Sequence, residues 1–167
     1  MDFDWIDRGV SRKSLVPVEL IGHWENNGRI YEFRTDGRYY VHDTDVPYQL
    51  LDGGMTLLHS GTRYVRLYGS PGDLPGVWQL ESDPQEEWNL RADGTYTYHW
   101  PGHEYFGDYT YDGSIMNTAE MRALVTEAAG AITFDPPYQL PVTGQWYLVE
   151  PELTITFPSG PVVYTRA

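Results

Sequence analysis

Along most of this chain, apolar and polar side chains take turns at every second position. Trp88 and Leu90 alternate with polar neighbours, Asp93-Gly94 supplies a turn that tolerates positive φ, and Tyr96, Tyr98 and Trp100 alternate again on the return. That is the pattern of a β-hairpin with one buried face. The chain carries it twice. In Tyr31-Glu32-Phe33-Arg34-Thr35-Asp36-Gly37-Arg38-Tyr39, Tyr31 matches Trp88, Phe33 matches Leu90, Arg34 matches Arg91 and Tyr39 matches Tyr96.

After the first hairpin, strands at Tyr48–Leu51, Met55–His59 and Tyr64–Leu67 are separated by Asp52-Gly53-Gly54 and Ser60-Gly61, and Ser70–Pro75 breaks the chain. The later half repeats the order with Tyr109–Tyr111, Leu153–Phe157 and Val163–Arg166. Connections this short pair neighbouring strands antiparallel, and a sheet of that size hides its edges most readily by closing. One segment breaks the alternation. Asn117-Thr118-Ala119-Glu120 has the form of a capping box, and Met121, Leu124, Val125 and Ala128 recur at helical spacing until Gly130. The expectation is an all-β, antiparallel up-and-down β-barrel of 8–10 strands, in two meander repeats (19–69 and 75–167), with one inserted α-helix near 118–129. Residues 1–18 read as an arm, either a frayed tail or a plug that folds Trp5 over one end.

Composition narrows the function classes. Seventeen Gly and 12 Pro suit many tight turns, and 14 Tyr, 6 Trp and 5 Phe suit pleated, half-buried surfaces. A formal charge of −13 repels phosphate backbones, which excludes nucleic acid as a partner. The excess is local, with eight acids and one base between Glu81 and Asp112. That face reads as solubilising surface or, alternatively, as the cover for a basic toxin. The chain has no cysteine, its first residues lack a basic start before an apolar run, and no stretch approaches the ~20 apolar residues of a membrane span. A soluble, cytoplasmic protein without membrane contact is expected, and a homodimer is compatible with the pattern.

A Gly-x-Trp at a first strand, with an arginine near the end of a last strand to lie across the indole, resembles the lipocalin and calycin barrels. Here the residues are Gly22, Trp24 and Arg166, echoed by Gly76, Trp78 and Arg66. Small bacterial lipocalin-like domains with a Gly-x-Trp…Phe…Asp-Gly-x-Tyr pattern are closer still, and Trp24, Phe33, Asp36, Gly37 and Tyr39 fit it over roughly residues 20–167. The resemblance implies a barrel that holds a small, largely apolar molecule. The chain departs from secreted lipocalins in lacking a signal peptide and disulfides.

Alternation places Tyr31, Phe33, Tyr39, Val41, Trp88, Leu90 and Trp100 on one inward aromatic face, joined by Tyr109, Tyr111 and Tyr147, as the wall of a ligand cavity. So many phenols are hard to satisfy in a solid core, since each unpaired hydroxyl costs about 1–3 kcal/mol, and a polar-tipped cavity resolves that. No metal is expected, because His99, His103 and Glu104 match no ligand spacing and His42-Asp43 reads as a polar turn. No nucleotide-binding, metalloprotease or nucleophile-elbow motif occurs, and Lys13 is the sole lysine. Any catalysis is therefore expected to be cofactor-free, with cavity shape folding a polyketide-like chain and phenols polarising a carbonyl. Some calycin-like barrels act similarly as Diels–Alder-type cyclases. Tyr96, Tyr98 and Glu104 are the candidate catalytic residues for such cyclisation or isomerisation, and the alternative is a non-catalytic carrier.

Overall fold

The computed structural model describes residues 16–167, so most of the arm assigned to 1–18, Trp5 included, lies outside the described residues. Alternation becomes fourteen strands: β1 (Gly22–Asn26), β2 (Arg29–Phe33), β3 (Arg38–Leu51), β4 (Thr56–His59), β5 (Thr62–Tyr68), β6 (Gly76–Leu80) and β7 (Glu87–Leu90) come first. Then follow β8 (Thr95–Trp100), β9 (His103–Tyr111), β10 (Ile115–Ala128), β11 (Ala131–Asp135), β12 (Val142–Val149), β13 (Glu152–Phe157) and β14 (Gly160–Arg166). All pairings with a recorded register are antiparallel. Each strand bonds its sequence neighbours, β1 bonds β14, and β3 also pairs with β10. The all-β, up-and-down expectation holds, while the count of 8–10 strands is too low.

The inserted α-helix is also corrected. Residues 115–128 form β10, paired with β9 through Met116↔Tyr111 and with β11 through Val125↔Phe134. Helical spacing put Leu124 and Val125 on one face, but Leu124 is half exposed and burial falls at Met121, Ala123 and Val125, every second residue. Pairing on both edges overrides the helix propensity of this Ala-, Glu- and Met-containing stretch. The helix-like spacing came from two apolar residues on the exposed face, Leu124 and Ala128, read together with the buried Met121 and Val125, while earlier in the strand Met116, of opposite parity, is buried.

The strands gather into two compact units, one formed by the residues up to Val41 with Arg122–Ala167, the other by His42–Met121. The long β3 and β10 each give one end to each unit. In the first unit the order runs from the start of β3 through β2, β1, β14, β13, β12 and β11 to the end of β10, where Val125 N–H donates to Gly37 O (2.7 Å). In the second it runs from the end of β3 through β4 to β9 and the start of β10, where Tyr48 N–H donates to Ser114 O (2.9 Å). Each unit contains one of the two matched hairpins, and their turns agree bond for bond. Gly37 N–H donates to Arg34 O and Gly94 N–H to Arg91 O, both at 3.1 Å.

Each unit also has its own core and its own lock. Trp24, Phe33, Leu153 and Ile155 are fully buried in the first; Trp78, Leu57, Leu74 and Met116 in the second. The Trp24 indole donates to Leu20 O (2.9 Å) beneath the Arg166 guanidinium, 4.2 Å from the ring centroid. Trp78 donates to Leu74 O (3.0 Å) beneath Arg66, again at 4.2 Å. A desolvated cation over an indole contributes about 2 kcal/mol. The anchors differ. Arg166 grips the Glu150 carboxylate and Glu19 O, whereas Arg66 donates to three backbone carbonyls, those of Gly54, Pro75 and Asp73. Glycine at 76 makes that approach feasible, because an added Cβ would stand 2.7 Å from the Arg66 Nη1 and 2.4 Å from Tyr68 O. Among the described residues, no helix is long and apolar enough to cross a membrane.

Candidate ligand cavity

The first unit carries a cavity of about 220 Å³ that is open to solvent on one side, lined by Tyr39, Arg122, Ala123, Phe134, Pro136, Val142, Phe157 and Tyr164. Its rings form one connected wall. Tyr39 meets Phe134 edge-on at 5.0 Å, Phe134 meets Phe157 at 5.7 Å, and Phe33 supports Tyr39 from below at 5.0 Å. Tyr31 stacks on Tyr39 and stands edge-on to Tyr164. The two lining phenols face each other with their hydroxyls 3.3 Å apart. Burial, then the Tyr164 neighbour, holds the Tyr39 phenol well above its ordinary pKa, and burial raises Tyr164 as well. Both therefore stay protonated at neutral pH. Apart from these two hydroxyls and Arg122, the lining side chains are apolar, so the wall suits a small, largely apolar molecule.

A polar chain crosses the core of the second unit. Tyr98 donates its hydroxyl to Glu86 Oε1 (2.7 Å), and Tyr64 lies 3.4 Å from the Tyr98 oxygen. Burial, then hydrogen bonds to Tyr64 and Glu86, push the Tyr98 phenol far up, so it is a donor and never a base near neutral pH. Beside it His59 meets Trp88 edge-on at 4.8 Å. The His59 Nε2 and Trp88 Nε1 are buried without a hydrogen-bond partner, and burial lowers the His59 pKa while Asp43 weakly opposes this.

The expected wall residues therefore divide between two cores. Tyr31, Phe33, Tyr39 and Val41 belong to the first unit; Trp88, Leu90, Tyr96, Tyr98 and Tyr109 to the second. Of all these, Tyr39 lines the cavity. Three of the expected residues are exposed instead: Trp100, Tyr111 and Tyr147. Trp100 ends β8 and packs on His103 and Tyr105 across the strand pair, and Tyr111 ends β9 and donates to Asp73 Oδ1 (2.8 Å). Tyr147 fails by parity. Trp146 and Leu148 pack against the core, so the residue between them points away. The expected catalytic set is not assembled either. Tyr98 pairs with Tyr105, whereas Glu104 pairs with His99, which puts the Glu104 side chain on the opposite face from Tyr96 and Tyr98.

The carboxylate beside Tyr98 is Glu86, missed although its position two residues before Trp88 gives it the same parity. The missed cavity residues have separate causes. Arg122 and Ala123 lie in the segment read as a helix, Phe134 sits just before the Pro136-Pro137 break, and Tyr164 lies in a final strand whose arginine alone drew attention.

Fold and site together define a class: an antiparallel all-β chain with two aromatic cores, each covered by an indole–arginine pair, and an open aromatic-walled cavity in the first. Beyond that class, no protein-family model, no curated protein and no solved structure matches the chain.

Proposed function

We propose that the first unit binds a small, largely apolar molecule in the cavity between Tyr39, Phe134, Phe157 and Tyr164. The observation that carries this reading is the cavity itself, about 220 Å³ walled by aromatic rings with a hydroxyl pair at one side. Apolar cavities of ~150 Å³ hold a benzene ring. A single substituted ring or a short chain is therefore the matching size, smaller than an extended polyketide. The cyclase reading moves with the cavity: Tyr39 and Tyr164, in place of Tyr96, Tyr98 and Glu104, would polarise the carbonyl of a short linear precursor held folded by the wall.

Titration of the protein with benzene, phenol and hexanal, followed by amide-resolved NMR, tests the binding reading. Saturable shifts should centre on Tyr39, Phe134, Phe157 and Tyr164 and disappear in Ala123→Leu, which fills the hollow. Shifts scattered elsewhere, or no saturation, would refute it. Conversion of a bound short-chain aldehyde or ketone, lost in Tyr39→Phe and Tyr164→Phe, separates a catalyst from a carrier.

A further inference from the structure

We propose that the outer face of β12, β13 and β14 in the first unit is the surface through which two copies of this chain form a reversible homodimer, packed sheet against sheet about a two-fold axis along β13. The cavity residues Phe157 and Tyr164 lie on the inward side of the same strands, so neither reading depends on the other.

The first reason is exposure. Leu153, Ile155 and Tyr164 are buried in the core, so the residues that alternate with them point outward. The strand register then lays Tyr147, Thr154 and Val163 in one row across the three strands, with Val149 beside Tyr147 along β12. Tyr147 is 66% exposed, Val149 56% and Val163 45%. Single exposed apolar residues are ordinary, but several gathered on one flat face mark a contact surface. The second reason is charge. Among the outward positions of these three strands Glu152 alone is charged, and the others are Thr, Gln, Pro, Val and Tyr. The whole chain carries −13, with eight acids and one base between Glu81 and Asp112. A basic partner would be drawn to that acid-rich stretch. A second copy bears the same negative charge, and like charges juxtaposed at an interface are strongly opposed, so two copies can meet only across a face as nearly neutral as this one. Depletion of acids and an exposed Tyr are also what the core of an interface carries. The third reason is shape. The row is tall at Tyr147 and short at Val163, with Thr154 between them. A two-fold axis along β13 lays β12 of each copy over β14 of the other, so that each Tyr147 ring meets Val163 of the second copy and the two Thr154 side chains face each other. Three or four strands ~4.8 Å apart and about six residues long outline roughly 300–400 Å², less than half of the ~800 Å² per partner of a standard interface. The dimer is therefore a reversible one.

Sedimentation velocity of the full chain from about 10 μM to about 1 mM should show a monomer–dimer equilibrium. Added salt should favour the dimer, because it screens the repulsion between two acidic molecules. Thr154→Glu brings two carboxylates together on the axis and should raise the dimer Kd about tenfold or more, and Tyr147→Ser should raise it by removing the ring. Val65→Glu, at an exposed position of the second unit, should change it less than about twofold. Far-UV circular dichroism and urea midpoints close to those of the unaltered protein establish that each variant is folded. In a sample mixing isotope-labelled with unlabelled chains, nuclear Overhauser contacts should join the Tyr147 ring of one copy to the Val163 methyls of the other. A chain that stays monomeric throughout would overturn the proposal, as would a dimer weakened by salt or one that all three variants affect equally. A dimer without the Tyr147–Val163 contacts would overturn the face and axis assigned to it.

Discussion

The buried phenols set an alkaline limit on the fold. Tyr39, Tyr48, Tyr64, Tyr109 and Tyr164 are each less than a tenth exposed, and burial is the leading cause that raises every one of their pKa values. Their hydroxyls are also engaged in the fold: Tyr109 donates to Arg91 O (2.6 Å), Tyr48 to Asp112 O, and the other three meet a second tyrosine. Because the folded pKa lies above the unfolded value near 10, the unfolded chain binds fewer protons in alkali. Stability is therefore complete below pH 10 and is lost as pH climbs above it. A phenol that the fold keeps fully protonated forfeits about 1.4 kcal/mol by pH 11, so five phenols set a ceiling of about 7 kcal/mol on the loss. That equals much of the ~5–15 kcal/mol that holds an ordinary domain. Phenolate absorbance at 295 nm and far-UV circular dichroism, recorded together from pH 9 to 12, should change in one cooperative step between about pH 10.5 and 11.5. If all phenols ionise near pH 10 while the dichroism stays native, the reasoning about this core is wrong.

Two further outcomes follow from the locks and from the second core. Arg66→Met strips donors from three backbone carbonyls and removes the cation over Trp78, which should cost about 3–6 kcal/mol in urea unfolding. Arg166→Met, whose partner is an exposed carboxylate, should cost less than half as much, and equal losses would contradict the account of the anchors. His59 is held neutral by burial, so the unfolded chain takes up its proton first as pH falls below about 6.5. Stability should decline by up to about 1.4 kcal/mol per pH unit between pH 6.5 and 5.5, and urea midpoints of His59→Gln should be flat over that interval. A parallel decline in both proteins would clear His59 of the effect.

Strand identity was legible wherever one face is buried and one is wet, because that condition writes a period of two into the chain. The Asp-Gly turns of both hairpins, and the arginines over Trp24 and Trp78, were readable for a related reason: each depends on neighbours close in sequence or on a short recognisable pattern. The division of the aromatic residues between two cores was not. Since β3 and β10 run unbroken from one unit into the other, no linker or change of composition marks the boundary. The cavity was half legible. Tyr39 came from the hairpin, but its partners Phe134, Phe157 and Tyr164 are distant in sequence, and Arg122 lies where two phases of burial meet. Tyr147 shows the limit of alternation, which tells which residues share a face and leaves open which face is the inside.

The odd interval between Met116 and Ala123 also restricts how β10 can vary. Deleting or inserting one residue between them would slip one ladder by a step and turn either the Met116 set or the Ala123–Val125 set outward. Loss or gain of a pair would keep both sets facing in. Length changes in this strand are therefore tolerable only in twos, and a single-codon deletion there should do more damage than most substitutions in either core.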